Sequence, residues 1–310
     1  MGSAMPPPAV LFDTSELTMI DSEITRTHAT LPVDFIVVPY DDGRRGWRMG
    51  AGPLSFIGSD LPARVAPTAR SRVQLVESGA AQPLASAIEL AARVAAEVAA
   101  SRSADRFPVV LAGNCSATVG AVAGLRSDRL GVVWLDAHGD LNTPETSPSG
   151  FLDGMAAATL MGWCHVEAFA PVLGGRVLPP RRLLTLGARA FDPDEREHAV
   201  AKGVRFSSAE PGELEPVLDA FLRDVDEVYV HLDLDVLDPD RYGQANGFRE
   251  PGGLEAEQVV RVLHRLARHG PVAGLTVSAY DPACDPEGRF REAAMSLIVE
   301  TLRIATSGAD

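Results

Sequence analysis

Cysteine is scarce in this chain: Cys115, Cys164 and Cys284 are the whole complement, an odd number with no C-x-x-C pair. That excludes a secreted disulfide framework and predicts a reducing, cytoplasmic setting. Basic charge is short as well. The 310 residues carry 28 Lys and Arg against 42 Asp and Glu, a formal charge of −14, with no block of five or more cations. The electrostatic footprint of a protein that binds nucleic acid or an anionic membrane is therefore missing. No apolar run reaches the roughly 18–20 residues of a membrane helix, and the amino terminus lacks the basic-then-apolar order of a signal peptide. No G-x-G-x-x-G or G-K-[ST] loop follows a strand, which argues against nucleotide binding. Internal repeats and low-complexity segments are absent too.

What is present is 46% apolar residues, enough over this length to bury a large core, and a surplus of carboxylates. Met1 to Met5 reads as a cloning remnant and residues 6–30 as irregular, while the chain as a whole reads as one domain. Short β-branched runs alternate with longer helical patterns, which predicts an α/β fold with a central, mostly parallel sheet. Strands are expected at Phe35 to Val38, Val109 to Ala112, Gly131 to Leu135, Leu183 to Leu186, Val228 to Leu232 and Val272 to Val277. Each is evenly apolar and so expected to be buried on both faces. Helices are expected over Pro83 to Ala100, Leu254 to Arg268 and Arg289 to Ile304, from apolar residues at helical spacing. The Gly/Arg/Pro loop Asp41 to Pro53, which carries Trp47, is a candidate active-site wall.

Two of these strands run into acidic motifs. Gly131 to Leu135 continues as Asp136-Ala137-His138-Gly139-Asp140-Leu141-Asn142, and Val228 to Leu232 as Asp233-Leu234-Asp235-Val236-Leu237-Asp238-Pro239. In extended chain residues two apart point to one side, so Asp136, His138 and Asp140 can converge at the carboxyl edge of the sheet, and Asp233 with Asp235 likewise. One D-x-D after a strand is also an ordinary turn or helix cap. Two such edges facing each other would gather four carboxylates and an imidazole, whose mutual repulsion divalent cations would resolve. A carboxylate-rich set with imidazole suits Mn²⁺, and a pair of such ions can activate water for hydrolysis.

Trp134 to Pro144 (W-L-D-A-H-G-D-L-N-T-P) and His231 to Pro239 (H-L-D-L-D-V-L-D-P) resemble the signature blocks of the arginase/agmatinase ureohydrolase family. The Asp42 to Pro53 loop, Gly113 to Ser116 and Gly274 to Pro282 follow the same order. The resemblance implies a three-layer α/β/α fold, two Mn²⁺ ions, hydrolysis of a guanidine, and a homo-oligomer, trimer or hexamer. It assigns Asp136, His138, Asp140, Asp233 and Asp235 to five of the six metal ligands. At the sixth, the family's G-G-D-H-S appears as Ala112-Gly113-Asn114-Cys115-Ser116. Cys115 then stands for the histidine, and as thiolate would soften that position toward Zn²⁺ or Fe²⁺. The alternative is a small buried cysteine beside a weaker site.

The resemblance also places substrate residues. Asn142, Ser147 and Ser149 fall where arginases grip the α-carboxylate of the amino acid, and Asp192 and Glu195 where the α-ammonium is read, a charge-complementary pairing. Together they favour an α-amino acid over a simple amine such as agmatine, although each segment alone is also an ordinary turn. Two further departures concern catalysis. The family's guanidinium-binding glutamate is Ala279 here, and its proton-shuttle histidine is Asp153. Asp140 is expected to orient the nucleophile, with Asp153 or His231 as proton relay; His231 is otherwise a strand-end histidine held by backbone. The expected activity is hydrolysis of N-ω-hydroxyarginine or arginine to ornithine and hydroxyurea or urea. Family members that act on the hydroxylated substrate serve the biosynthesis of amino-acid-like antibiotics. The competing readings are agmatinase-type hydrolysis and a catalytically weakened homologue that binds a ligand or partner.

Overall fold

Six evenly apolar segments become the interior of one sheet. In the computed structural model, residues 31–65, 71–125 and 127–307 are described, so the remnant and irregular segment assigned to 1–30 lie outside the described residues. The strands are β1 (Val33–Val38), β2 (Ser71–Leu75), β3 (Phe107–Ala112), β4 (Leu130–Leu135), β5 (Leu183–Leu186), β6 (Arg205–Ser207), β7 (Glu227–Asp233) and β8 (Val272–Ser278). They form an eight-stranded sheet in the order β2-β1-β3-β8-β7-β4-β5-β6. Every neighbouring pair is parallel. The six expected strands are all there. Sequence reading missed β2 and β6, the two edges: S-R-V-Q-L is mostly exposed and R-F-S is three residues long, because an edge strand has one neighbour and needs no apolar faces. A two-residue hairpin, Tyr40–Asp41 against Arg44–Arg45, was missed for the same lack of pattern.

The side chains of each strand alternate between two cores. Ile36, Val110, Val132 and Tyr229 pack under α1 (Pro83–Ser103) and α2 (Ala117–Leu125). Phe35, Val109, Val133, Val230 and Leu275 pack under α3 (Pro211–Leu222), α4 (Ala256–His269) and α5 (Arg289–Thr306). The result is the three-layer α/β/α arrangement. α4 starts two residues later than expected because Gln258 Oε1 accepts the Glu255 amide at 2.8 Å, a reciprocal N-terminal cap. Leu254 instead bridges to Leu237. Among the described residues no helix is long and apolar enough to cross a membrane.

The strand order sets the location of the site. The chain steps from β3 across β8 and β7 to reach β4. The carboxyl ends of these four strands, with β5 beside them, therefore bound one crevice at the switch in strand order, where open α/β sheets bind ligands.

Candidate metal centre and active site

The crevice floor is built by residues that leave the strands with their carboxylates turned inward. Asp136, just past β4, is 1% exposed; its Oδ2 accepts from Trp134 Nε1 at 3.0 Å and its Oδ1 from the His138 amide at 2.7 Å. Asp233 closes β7, with Oδ1 accepting from the Asp235 amide at 3.0 Å and Oδ2 from Cys115 Sγ at 3.0 Å. Asp235 accepts from the Ala137 amide at 3.2 Å and from Asn246 Nδ2 at 3.2 Å. His138 Nδ1 lies 3.3 Å from Asp235 and 3.4 Å from Asp136. Backbone amides thus aim one oxygen of each of these three carboxylates, and side-chain donors reach the other.

Two groups of donor atoms follow. Those of Cys115, Asp136, His231 and Asp233 lie within 4.8 Å of one another, and those of Asp136, His138 and Asp235 do so as well, with Asp136 common to both. Asp140 belongs to neither group. It sits at φ +54°, lines the cavity, and its buried Oδ2 has no hydrogen-bond partner. Burial, reinforced by neighbouring carboxylates, pushes Asp136, Asp140 and Asp233 upward. Burial opposes charge at His138 and Asp235 too, but the contacts of the imidazole with Asp136 and Asp235 win, taking His138 up to about 12 and holding Asp235 down at about 2. Burial also raises the Cys115 thiol and holds His231 neutral, lowered to about 3. Such a cluster needs positive charge. Oxygen, nitrogen and sulfur donors that converge while the buried Asp140 Oδ2 and His231 Nε2 stay unpartnered fit divalent cations, which supply it.

The floor opens into a cavity of about 320 Å³. Asn142, Ser147, Ser149, Asp192 and Glu195 all line it, as do Asp153 and Ala279. Asn142 Nδ2 donates to Asp192 Oδ2 at 2.8 Å. The Glu195 oxygens accept the Leu141 and Asp192 amides, each at 2.9 Å, so this side chain clamps the loop after β5 to the loop after β4. Ser147 and Ser149 accept from the Gly150 and Phe151 amides at 3.0 and 3.2 Å on the exposed rim. Asp153 is held by Asn114 Nδ2 at 2.8 Å and the Ser116 amide at 3.3 Å, and burial with the Asp41 charge raises it to about 7. His231 is 0% exposed and stands behind the floor rather than in the cavity wall.

Several contributors went unnoticed in the sequence. Asn246 bridges Asp235 and the Ala279 carbonyl, at 3.2 and 2.9 Å. Phe151 and Phe248 stack at the mouth with centroids 5.8 Å apart. Both lie on irregular loops without periodicity, so no local signal marks them. Gly113 and Gly52 let the wall close in. A Cβ at Gly113 would meet Tyr40 O at 2.3 Å, and one at Gly52 would meet Tyr280 O at 2.1 Å.

The chain matches the arginase family model over residues 32–303, and it belongs to that family. It is similar to the arginase of Bacillus caldovelox, 29% identical over 296 residues that span 86% of this chain and 96% of the relative. The solved structure of that arginase superposes with a TM-score of 0.78 at 26% identity, covering 88% of this chain and 98% of the other. Formimidoylglutamase from Bacillus subtilis shares the fold, with a TM-score of 0.70 at 16% identity over 91% of this chain and 89% of the other. The chain is accordingly a hydrolase of linear amidines.

Proposed function

We propose that this enzyme hydrolyses the guanidine-like end of an arginine-type amino acid, with N-ω-hydroxyarginine preferred over arginine, giving ornithine and hydroxyurea. One observation carries the choice. The cavity has an anionic, cation-binding floor and a polar rim suited to an amino acid's charged end, yet Ala279 brings no carboxylate where the family clamps guanidinium. A hydroxyguanidine is less basic than a guanidine and depends less on such a clamp.

Asp136, His138, Asp233 and Asp235, with Cys115, are the residues whose converging donors would hold two divalent cations, Mn²⁺ in an oxygen-rich position and Zn²⁺ or Fe²⁺ a competitor beside the thiol; Asp140 would join them on the family resemblance alone. When bound, the pair supplies Lewis acidity and a water that ionises at neutral pH. Asp140 Oδ2, buried and unpartnered, would accept a hydrogen bond from the attacking water and orient it toward the amidine carbon. Asn142, Ser147 and Ser149 face the substrate carboxylate, and Asp192 the ammonium, while Glu195 keeps the Asp192 loop in place. Asp153, which also lines the cavity, serves as proton relay to the departing amine. Water adds to the carbon, the C–N bond to the ornithine side chain breaks, and that nitrogen leaves as amine with the proton.

Steady-state turnover of N-ω-hydroxyarginine, arginine and agmatine by Mn²⁺-loaded enzyme tests this. kcat/KM is expected to fall in that order, and faster turnover of agmatine than of both amino acids would overturn it.

A further inference from the structure

The histidine that the family places at position 115 is missing, yet a second imidazole approaches the same spot from a different element. His231 lies two residues before Asp233 on β7, so both side chains leave the same face of the sheet. Its ring is stacked on Trp134, its registered neighbour on β4, with centroids 3.7 Å apart. Nδ1 is 2.7 Å from Thr118 Oγ1, at the start of α2. Nε2 is buried and has no hydrogen-bond partner. A neutral imidazole has one N–H and one lone pair. With the proton on Nδ1 and donated to Thr118, the lone pair on Nε2 is left without a partner, and a ring nitrogen of His231 lies within 4.8 Å of the donor atoms of Cys115, Asp136 and Asp233. Ligating histidines are commonly oriented in this way by a hydrogen bond at the other ring nitrogen.

We infer that His231 Nε2 is a ligand of the cation position that contains Cys115, replacing from β7 the imidazole absent at 115. This rests on the metal-dependent reading above and extends it by one residue. The position then offers a sulfur, an imidazole nitrogen and carboxylates from Asp136 and Asp233, whereas its neighbour has His138 with carboxylates. The two sites differ in softness. The sulfur-containing site is expected to take Zn²⁺, Fe²⁺ or Co²⁺ ahead of Mn²⁺, and the other to accept Mn²⁺ readily.

Pulsed electron paramagnetic resonance on Mn²⁺-loaded protein, with cation content measured in parallel, decides the matter. Wild-type protein is expected to bind two equivalents and show nitrogen couplings from two imidazoles. In His138→Gln a nitrogen coupling should persist. In His231→Gln one equivalent should bind at least about 10-fold more weakly in chelator competition. A single imidazole coupling in wild type, or loss of all nitrogen coupling in His138→Gln, would overturn the assignment while leaving the metalloenzyme reading intact. Should a variant fail to fold, the wild-type spectrum alone decides. Wild-type protein that binds no divalent cation would defeat the metal-dependent reading itself.

Discussion

Ala279 is the residue at which chemistry and backbone meet most sharply. It follows β8 in a left-handed conformation, φ +65°, and its carbonyl accepts from Asn246 Nδ2 at 2.9 Å. Because a non-glycine residue already occupies that conformation, a longer side chain adds little backbone strain. Ala279→Glu places a carboxylate at the cavity wall, and truncating one partner of a desolvated charge pair costs roughly 2–5 kcal/mol. Restoring it is therefore expected to raise kcat/KM for arginine at least about 30-fold, measured as urea release. No gain from a folded, cation-loaded variant would show that this position does not govern guanidinium binding. The metal-binding motifs were legible at this scale because Asp136 with His138, and Asp233 with Asp235, are local i, i+2 pairs at strand ends. The environment of His231 was not legible, since Thr118, Trp134 and Cys115 meet it only through tertiary packing.

At the scale of elements, the interior strands were readable and the edges were not, and β1 shows a polar residue that its apolar pattern hid. Asp34 is 0% exposed within V-D-F-I-V-V. It is satisfied by Arg72 Nη2 at 2.8 Å, by Ser101 Oγ at 2.7 Å and by Arg106 Nε. These contacts fasten β1, the edge strand β2 and the end of α1 together. Removing one member of a buried ion pair leaves an uncompensated charge, here on Arg106, whose side chain is 21% exposed. Asp34→Ala is expected to lower stability by about 3 kcal/mol, seen as a reduced urea midpoint with unchanged slope. A loss below about 1 kcal/mol would mean that water compensates Arg106 fully. In the segment between β1 and β2, Gly43 and Gly46 take positive φ, while Gly52 serves close approach to the Tyr280 backbone.

For the molecule as a whole, the buried carboxylates make folding and cation binding one equilibrium. Because the donor groups of both clusters come from β3, β4 and β7 and the loops that follow them, they converge only in the folded chain, and cations are expected to bind that state in preference to the unfolded one. At free cation near 100 Kd each site adds about 2.7 kcal/mol. Exhaustive chelation is thus expected to lower Tm by roughly 5–10 °C or more, recovered on adding Mn²⁺; superimposable melting curves with and without chelator would contradict it. We further propose that the chain assembles as a trimer or hexamer, which light scattering on the purified protein will decide. The α/β class, the six interior strands and the paired aspartates are written in the chain itself, because evenly apolar runs and i, i+2 ligand spacing are local properties. The strand order and the edge strands emerge only once the chain has packed. The same packing sets Glu195 as a clamp between two loops and leaves the nitrogen of His231 bare beside Cys115. Those depend on which strand ends become neighbours in space, and that is set by packing two cores against one sheet.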